Sequence, residues 1–101
     1  MNYKLTISYD GTNYSGWQIQ PDSKTIQEII EKSLMKIFSD QNIKVIGSGR
    51  TDAGVHANGQ VANVNIENSK MNESQIKNAI NSYLPNDIFI NECTLVNDEF
   101  H

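Results

Sequence analysis

The chain has 101 residues, a formal net charge of −4 at pH 7 and one cysteine, Cys93. Such a length is typical of one small domain, and a single cysteine excludes an internal disulfide and any zinc site built from several thiolates. No stretch approaches about 18 consecutive apolar residues, and the start lacks a basic region followed by an apolar run, so we expect a soluble cytoplasmic protein without a membrane segment. The acidic balance argues against tight nucleic-acid binding by this segment alone, because phosphate contacts come from clustered Lys and Arg.

The first part of the chain predicts a strand followed by a helix. Residues 3–9, YKLTISY, alternate apolar and polar side chains as a half-buried strand does. After a polar loop, residues 25–38 place apolar side chains at helical spacing, and Thr25 with Glu28 matches a capping box. The inward positions of this helix are Ile26, Ile29, Ile30, Ser33, Leu34, Ile37 and Phe38.

Two short strands are predicted next, on either side of a glycine-rich loop. Residues 43–47 form the first and residues 60–67 the second, and together they suggest an antiparallel pair. Alternation in the second strand directs one set of side chains to the core: Ala62, Val64 and Ile66. Asn63 and Asn65 then lie on the opposite face, which we expect to meet solvent or a partner.

A second amphipathic helix and a last strand complete the pattern. Residues 72–84 have helical spacing, with Asn72 as a possible cap and Pro85 after the end. The inward positions are Ile76, Ala79, Ile80, Tyr83 and Leu84. Residues 88–96 form the last strand. The order β-α-β-β-α-β predicts an α+β, ferredoxin-like fold, an antiparallel sheet with both helices on one face.

The glycine-rich loop GSGRTDAGVHANGQ, residues 47–60, contains the residues best suited to chemistry. Asp52 could serve as a nucleophile or base, although by spacing alone an aspartate in such a stretch more often caps the backbone of an ordinary turn. Arg50, two residues earlier, would favour the ionised carboxylate if the two side chains meet. His56 could orient Asp52, bind phosphate or form a hydrogen bond within the loop.

Other chemistries find little support in the sequence. A phosphate-binding P-loop needs lysine after its glycines, and GSGRTDAG has none. Two histidines and one cysteine, far apart in the chain, make a poor metal site. We expect Cys93 to be a buried apolar residue of a strand. Tyr14 and Trp17, in the polar stretch YDGTNYSGWQ, fit either the core or a flat surface for bases or a protein partner.

Three stretches together resemble a known family. GSGRTDAGVHANGQV, YDGTNYSGWQIQ near the start and TIQEIIE at the first helix are similar to the N-terminal half of the TruA family of tRNA pseudouridine synthases. The resemblance covers essentially the whole chain and includes the order of helices and strands. It implies an isomerase, without cofactor or metal, that converts uridine to pseudouridine at positions 38, 39 and 40 in the anticodon arm of tRNA.

The resemblance also implies roles for particular residues. Asp52 matches the family's catalytic aspartate, and Arg50 the arginine that pairs with it. Residues 53–57 match the loop that shapes the surroundings of the target nucleotide. Together with their neighbours in the two motifs, the expected substrate-binding residues are Gly49, Thr51, Ala53, Gly54, Val55, His56, Tyr9, Asp10, Gly11, Trp17 and Gln18. For the residues of the first motif, no individual chemical role is implied.

The implied reaction breaks the bond from ribose C1′ to uracil N1 and joins C1′ to C5 after the base has rotated. The carboxylate could attack C1′, add to C6 or remove a proton from C2′, and the sequence does not choose among these. Arg50 could keep the acid charged, hold a phosphate or fill the space that the flipped base leaves.

The chain also departs from the family pattern. Family members are about twice as long, are homodimers and bind tRNA across both subunits, whereas this chain ends at NDEFH without a closing turn. We therefore expect residues 1–101 to be the N-terminal domain of a longer enzyme, inactive by themselves.

Two non-catalytic interpretations remain open. The RNA recognition motif has the same β-α-β-β-α-β order, although it displays aromatic side chains on central strands and QVANVNIE has none. A small interaction domain of ferredoxin-like fold is the other, and the loop around Asp52 would then be incidental. Replacement of Asp52 separates both from an enzyme, because only an enzyme loses turnover.

Overall fold

A computed structural model describes residues 1–97 of the chain. The elements follow one another in the predicted β-α-β-β-α-β order. The strands are β1 (Asn2–Tyr9), β2 (Val45–Gly47), β3 (Ala57–Asn65) and β4 (Ile88–Val96), and the helices are α1 (Ile26–Ile37) and α2 (Glu73–Tyr83). A turn of 3-10 helix at Gly11–Asn13, which the sequence did not predict, follows β1. The expectation about the end of the chain concerns residues 98–101, which lie outside the described residues.

The four strands form one antiparallel sheet in the order β2-β3-β1-β4. This order and the two helices confirm the predicted α+β, ferredoxin-like fold. Alternate residues of β1 are buried in one core together with apolar residues of both helices. The members of this core with no exposed surface include Leu5, Ile7, Ile30, Leu34, Ile76 and Ile80.

Strand β1 is irregular on both of its edges near its end. Its register with β4 shifts between Thr6 and Ile7, and its register with β3 shifts between Ile7 and Ser8. In both places the extra residue belongs to the partner strand, Asn91 of β4 and Gly59 of β3, and such a residue bends the strand that carries it. The last residue of β1, Tyr9, lies just past both shifts.

Side-chain caps begin both helices. Thr25 accepts a hydrogen bond from the backbone of Glu28, which is one half of the predicted capping box. The other half is not formed among the described residues, since the Glu28 carboxylate lies 3.6 Å from the ammonium of Lys32 instead. Helix α2 has the complete capping box, in which Asn72 and Gln75 each accept a hydrogen bond from the other's backbone. Neither helix of the described residues is long and apolar enough to cross a membrane.

Two burial predictions were wrong. Tyr83, expected in the core, is 49% exposed because it is the last residue of α2 and its ring lies 5.8 Å from the Lys36 ammonium at the surface. Asn63, expected on a face that meets solvent or a partner, is only 7% exposed within the chain itself. It pairs with Ile46 on β2 and with Lys4 on β1, so it lies on an inner strand with a neighbour on each side.

Candidate active site

The candidate catalytic residue lies on the Asp52 loop, residues 49–56, which joins β2 to β3. The backbone N–H of Val55 donates to the carbonyl of Asp52 at 3.2 Å, which closes a tight turn. The side chain of Asp52 is exposed. Within residues 1–97, its carboxylate accepts no hydrogen bond and forms no ion pair, so nothing in the described protein occupies it.

The backbone of this loop is held by an anchoring segment, residues 9–18. Trp17 donates its backbone N–H to the carbonyl of Thr51 at 3.1 Å, and Gly54 donates to the carbonyl of Tyr14 at 3.2 Å. Gly16 has φ +92°, and a Cβ there would lie 2.5 Å from the carbonyl oxygen of Thr51, so a side chain would push the two segments apart. Asp52 therefore lies between Thr51 and Gly54, whose backbones are both hydrogen-bonded to the anchoring segment.

Side chains of the anchoring segment form the floor beneath the loop. The Tyr9 and Thr51 hydroxyls share a hydrogen bond of 2.7 Å. The ring of Tyr9 stacks on that of Trp17, with centroids 6.3 Å apart and planes inclined by 29°. Tyr14 and Trp17 are both buried, so of the two interpretations left open for these aromatics, the core is the correct one.

His56 contacts the anchoring segment instead of Asp52. Its Nδ1 accepts a hydrogen bond from the backbone N–H of Gly11 at 2.9 Å. This hydrogen bond leaves the loop, unlike the internal one considered from sequence. Gly11 also lies so close to the loop that a Cβ there would approach the carbonyl oxygen of Val55 to 1.9 Å.

Asp10 stabilises the 3-10 turn of the same segment. Its carboxylate accepts hydrogen bonds from the hydroxyl and the backbone N–H of Thr12, at 2.6 and 3.0 Å, and so caps the 3-10 turn. These bonds lower the pKa of Asp10 below its ordinary value, and the nearby His56 lowers the pKa further. His56 Nδ1 is 3.2 Å from Asp10, but it becomes a donor to Asp10 only when protonated, because the neutral Nδ1 accepts from Gly11.

A groove with a volume of about 600 Å³ runs beside Asp52. It brings together five residues that the sequence singled out, Gln18, Arg50, Thr51, Asp52 and Ala53. Three further lining residues were missed: Ser15, Ile19 and Gln20. All three stand in the stretch YSGWQIQ beside predicted residues, so their position in the motif was the available signal.

The remaining predicted residues lie around the loop but not in this groove. Tyr9, Asp10 and His56 line a second pocket of about 390 Å³, next to the exposed ring of Phe89. Trp17 and Gly49 line a smaller cleft together with Arg50. Gly54 and Val55 are exposed, whereas Gly11 is buried beneath the loop.

Arg50 is the only arginine of the chain and is exposed at the edge of the groove. Among the described residues, no ion pair joins it to Asp52, although both side chains line the same groove. The pairing expected from sequence is therefore not formed here. Both charges are accessible to a ligand in the groove.

Cys93 is a buried residue of β4, as predicted. Burial, together with the charge of Glu73, raises the pKa of its thiol from 9.0 to about 12. A thiol in this state is a poor nucleophile at neutral pH. In the described part of the chain, no three His, Cys, Asp or Glu side chains are grouped as a metal ion needs, and the absence of a cofactor stays a prediction.

Comparison with known proteins identifies the family. A family model described as tRNA pseudouridine synthase matches residues 5–101, nearly the whole chain. The chain belongs to the tRNA pseudouridine synthase family. It is 54% identical over 101 residues to the tRNA pseudouridine synthase A of Thermodesulfovibrio yellowstonii, and 48% identical over 99 residues to tRNA pseudouridine synthase A 1 of Protochlamydia amoebophila. A third relative, tRNA pseudouridine synthase A of a Thermotoga species, is 48% identical over 95 residues.

These relatives are longer than the matched region. The alignments cover 100%, 98% and 94% of this chain but 39%, 38% and 38% of the relatives. The chain thus spans about two fifths of the length of the synthases it matches. The Asp52 loop and its anchoring segment both lie within the matched residues.

Proposed function

We propose that this chain carries the catalytic aspartate of a tRNA pseudouridine synthase, with Asp52 as the nucleophile. Its substrate would be uridine at positions 38, 39 and 40 in the anticodon arm of tRNA. The observation that carries the proposal is the exposed, unoccupied carboxylate of Asp52 on a backbone fixed at Thr51 and Gly54. A carboxylate that is positioned but not engaged can meet a substrate without first breaking a bond of its own.

The reaction needs little beyond a carboxylate and a place for the flipped base. The bond from C1′ to N1 breaks, the uracil turns, a bond forms from C1′ to C5, and the proton that leaves C5 is balanced by one gained at N1. The reaction therefore needs no electron acceptor and consumes no water. The target base must leave its stack to reach Asp52, and the groove lined by Gln18 and Arg50 is open to receive it.

Arg50 would act on the substrate and the acid together. Its charge is permanent and lies beside the groove, so it can hold a phosphate of the flipped nucleotide while favouring the ionised form of Asp52. We propose that the two side chains approach each other when RNA is bound. If Arg50→Ala weakened tRNA binding but left turnover unchanged, its effect on the acid would be refuted.

The assembly around this site is part of the proposal. The enzyme would work in the cytoplasm as a homodimer with tRNA across both subunits, and without cofactor or metal. Residues outside this chain would supply the rest of the site, since the matched synthases are more than twice as long.

The test is pseudouridine formation in unmodified tRNA by the protein expressed from the complete gene, measured as nucleosides after digestion. Asp52→Asn keeps the shape of the side chain and removes its charge, so we expect turnover to fall at least about a thousandfold while tRNA affinity is retained. Asp40→Asn, an exposed aspartate beyond α1, is the matched control and should react as the wild type does. Wild-type protein that binds tRNA but forms no pseudouridine would favour an RNA-binding module instead.

A further inference from the structure

Thr51 is the most firmly held residue of the Asp52 loop. Its carbonyl accepts the N–H of Trp17 and its hydroxyl is bonded to Tyr9, so both its backbone and its side chain are fixed. Asp52 is the next residue, and its own side chain is bound to nothing in the described protein. The position of the carboxylate therefore depends on the backbone on either side of it, which is held at Thr51 by both bonds and at Gly54 by one.

Tyr9 is well suited to fix Thr51. It is only 5% exposed, and its ring lies against Trp17, which is 2% exposed. It is the last residue of β1, the strand that pairs with both β3 and β4 and is thus central in the sheet. Two χ angles and a buried ring leave the hydroxyl few positions, so the Tyr9 oxygen is a rigid point in contact with the loop.

We propose that Tyr9 and Thr51 are a positioning pair, whose shared hydrogen bond sets where the carboxylate of Asp52 stands relative to the substrate. The proposal rests on the proposed function of Asp52. Neither hydroxyl takes part in the chemistry. The pair acts through geometry, and a displacement of about 1 Å at a reacting group can lower a rate by about a hundredfold.

Tyr9→Phe in the protein from the complete gene is the first test. It removes one oxygen and leaves the stacked ring, so we expect kcat to fall by roughly tenfold to a hundredfold with KM changed less than about twofold. Tyr3→Phe is the matched control, a tyrosine that is 3% exposed on the same face of β1, about 20 Å away along the strand. Its kcat should equal that of the wild type. A wild-type kcat for Tyr9→Phe, or an equal loss in Tyr3→Phe, would overturn the proposal.

Substitutions of Thr51 test the same hydrogen bond from the other side. Thr51→Val keeps the shape and loses the hydroxyl, so kcat should fall as in Tyr9→Phe, whereas Thr51→Ser keeps the hydroxyl and should restore most of the rate. The double variant Tyr9→Phe with Thr51→Val should be no slower than the worse single variant, because both remove one shared interaction. Losses that multiply, or a Thr51→Ser variant as slow as Thr51→Val, would contradict the pairing.

Failure of this inference is distinguishable from failure of the proposed function. If Asp52→Asn reacts as fast as the wild type, the proposed function is wrong whatever Tyr9 does. If Asp52→Asn is inactive while Tyr9→Phe keeps its kcat, only the positioning pair is wrong. Melting temperatures of all variants complete the comparison, because a purely structural role of Tyr9 would lower the melting temperature and leave kcat of the folded protein intact.

Discussion

At the scale of single residues, the close contact between Gly11 and the Asp52 loop explains why the first motif contains a glycine there. Gly11 does not have a positive φ, so its backbone conformation is open to other residues. The requirement is one of space, because a Cβ would approach the Val55 carbonyl oxygen to 1.9 Å. A methyl group can be accommodated only if the anchoring segment and the loop separate.

Gly11→Ala should therefore destabilise the protein by about 1–3 kcal/mol, the usual cost of forcing an extra group into a packed contact. Gly49→Ala, on the Asp52 loop, is the matched control, since the nearest atom to its Cβ would be 3.9 Å away and its φ is not positive. It should change little or gain about 0.4–1 kcal/mol from a less flexible unfolded chain. Urea unfolding followed by the fluorescence of Trp17, the only tryptophan, measures both. Equal free energies of unfolding for the two variants would show that the anchoring segment and the loop separate without measurable cost.

At the scale of elements, helix α1 joins Ile19, a lining residue of the groove beside Asp52, to the start of β2. Glu31, on α1, is 5% exposed and accepts hydrogen bonds from the backbone of Val45 at 2.8 Å and from Gln27 at 3.3 Å. Gln27 in turn donates to the carbonyl of Val45 and accepts from the N–H of Ile19. Two side chains one turn apart on the same helix thereby fix the start of β2 and Ile19, the residue just after the anchoring segment.

Glu31→Ala tests this connection, since it leaves the N–H of Val45 buried without its acceptor. Such a loss costs about 1–3 kcal/mol of unfolding free energy. Glu28→Ala, on the same helix, removes only an exposed pair with Lys32 at 3.6 Å and should cost at most about 0.5 kcal/mol. Urea unfolding of both proteins gives the two values. A Glu31→Ala variant as stable as Glu28→Ala would mean that a water molecule replaces the carboxylate as the acceptor of the Val45 N–H.

The elements were also the part of the fold that the sequence predicted best. Alternation in residues 3–9 and helical spacing in residues 25–38 are local patterns, and both elements appear where they were expected. Asn63 and Tyr83 were misplaced because their burial depends on neighbours from other elements, Ile46 and Lys36. Local patterns carry no information about such neighbours.

The candidate site was predictable only in part, for a related reason. Asp52 and Arg50 were found because their motif is distinctive. The hydrogen bonds from Trp17 to Thr51 and from Gly54 to Tyr14 join backbone groups, which every residue possesses, so no choice of side chain marks them. The sequence left the burial of Trp17 open because its neighbours in the chain are polar. The backbone hydrogen bond from Trp17 to Thr51, which no sequence pattern reveals, helps to hold this polar stretch against the protein.

At the scale of the whole molecule, charge limits what these residues do by themselves. The chain carries a net charge of −4 and a single arginine, Arg50. None of the seven lysines lines the groove beside Asp52. Since tRNA affinity depends mostly on cations that meet phosphates, the proposed function requires a cationic surface from outside residues 1–101.

Residues 1–101 expressed alone should fold but form no pseudouridine. We expect a cooperative unfolding transition reported by Trp17, and tRNA binding too weak to detect at physiological salt. The protein from the complete gene, assayed beside it with the same tRNA, is the control. Measurable pseudouridine from the shorter chain would show that Asp52 and its groove suffice.

The hydrogen bonds that hold the Asp52 loop have a consequence for how the protein is made. Tyr9 and Thr51 are 42 residues apart, and Gly11 and His56 are 45 apart. The anchoring segment is therefore translated before the loop that it holds, and its partners Thr51 and Gly54 do not yet exist while residues 19–50 are added. Because the loop returns along β3, which pairs with β1, the groove forms only when those two strands meet. A nascent chain that ends after Asp52 but before the end of β3 carries the aspartate and lacks the geometry that would make it reactive.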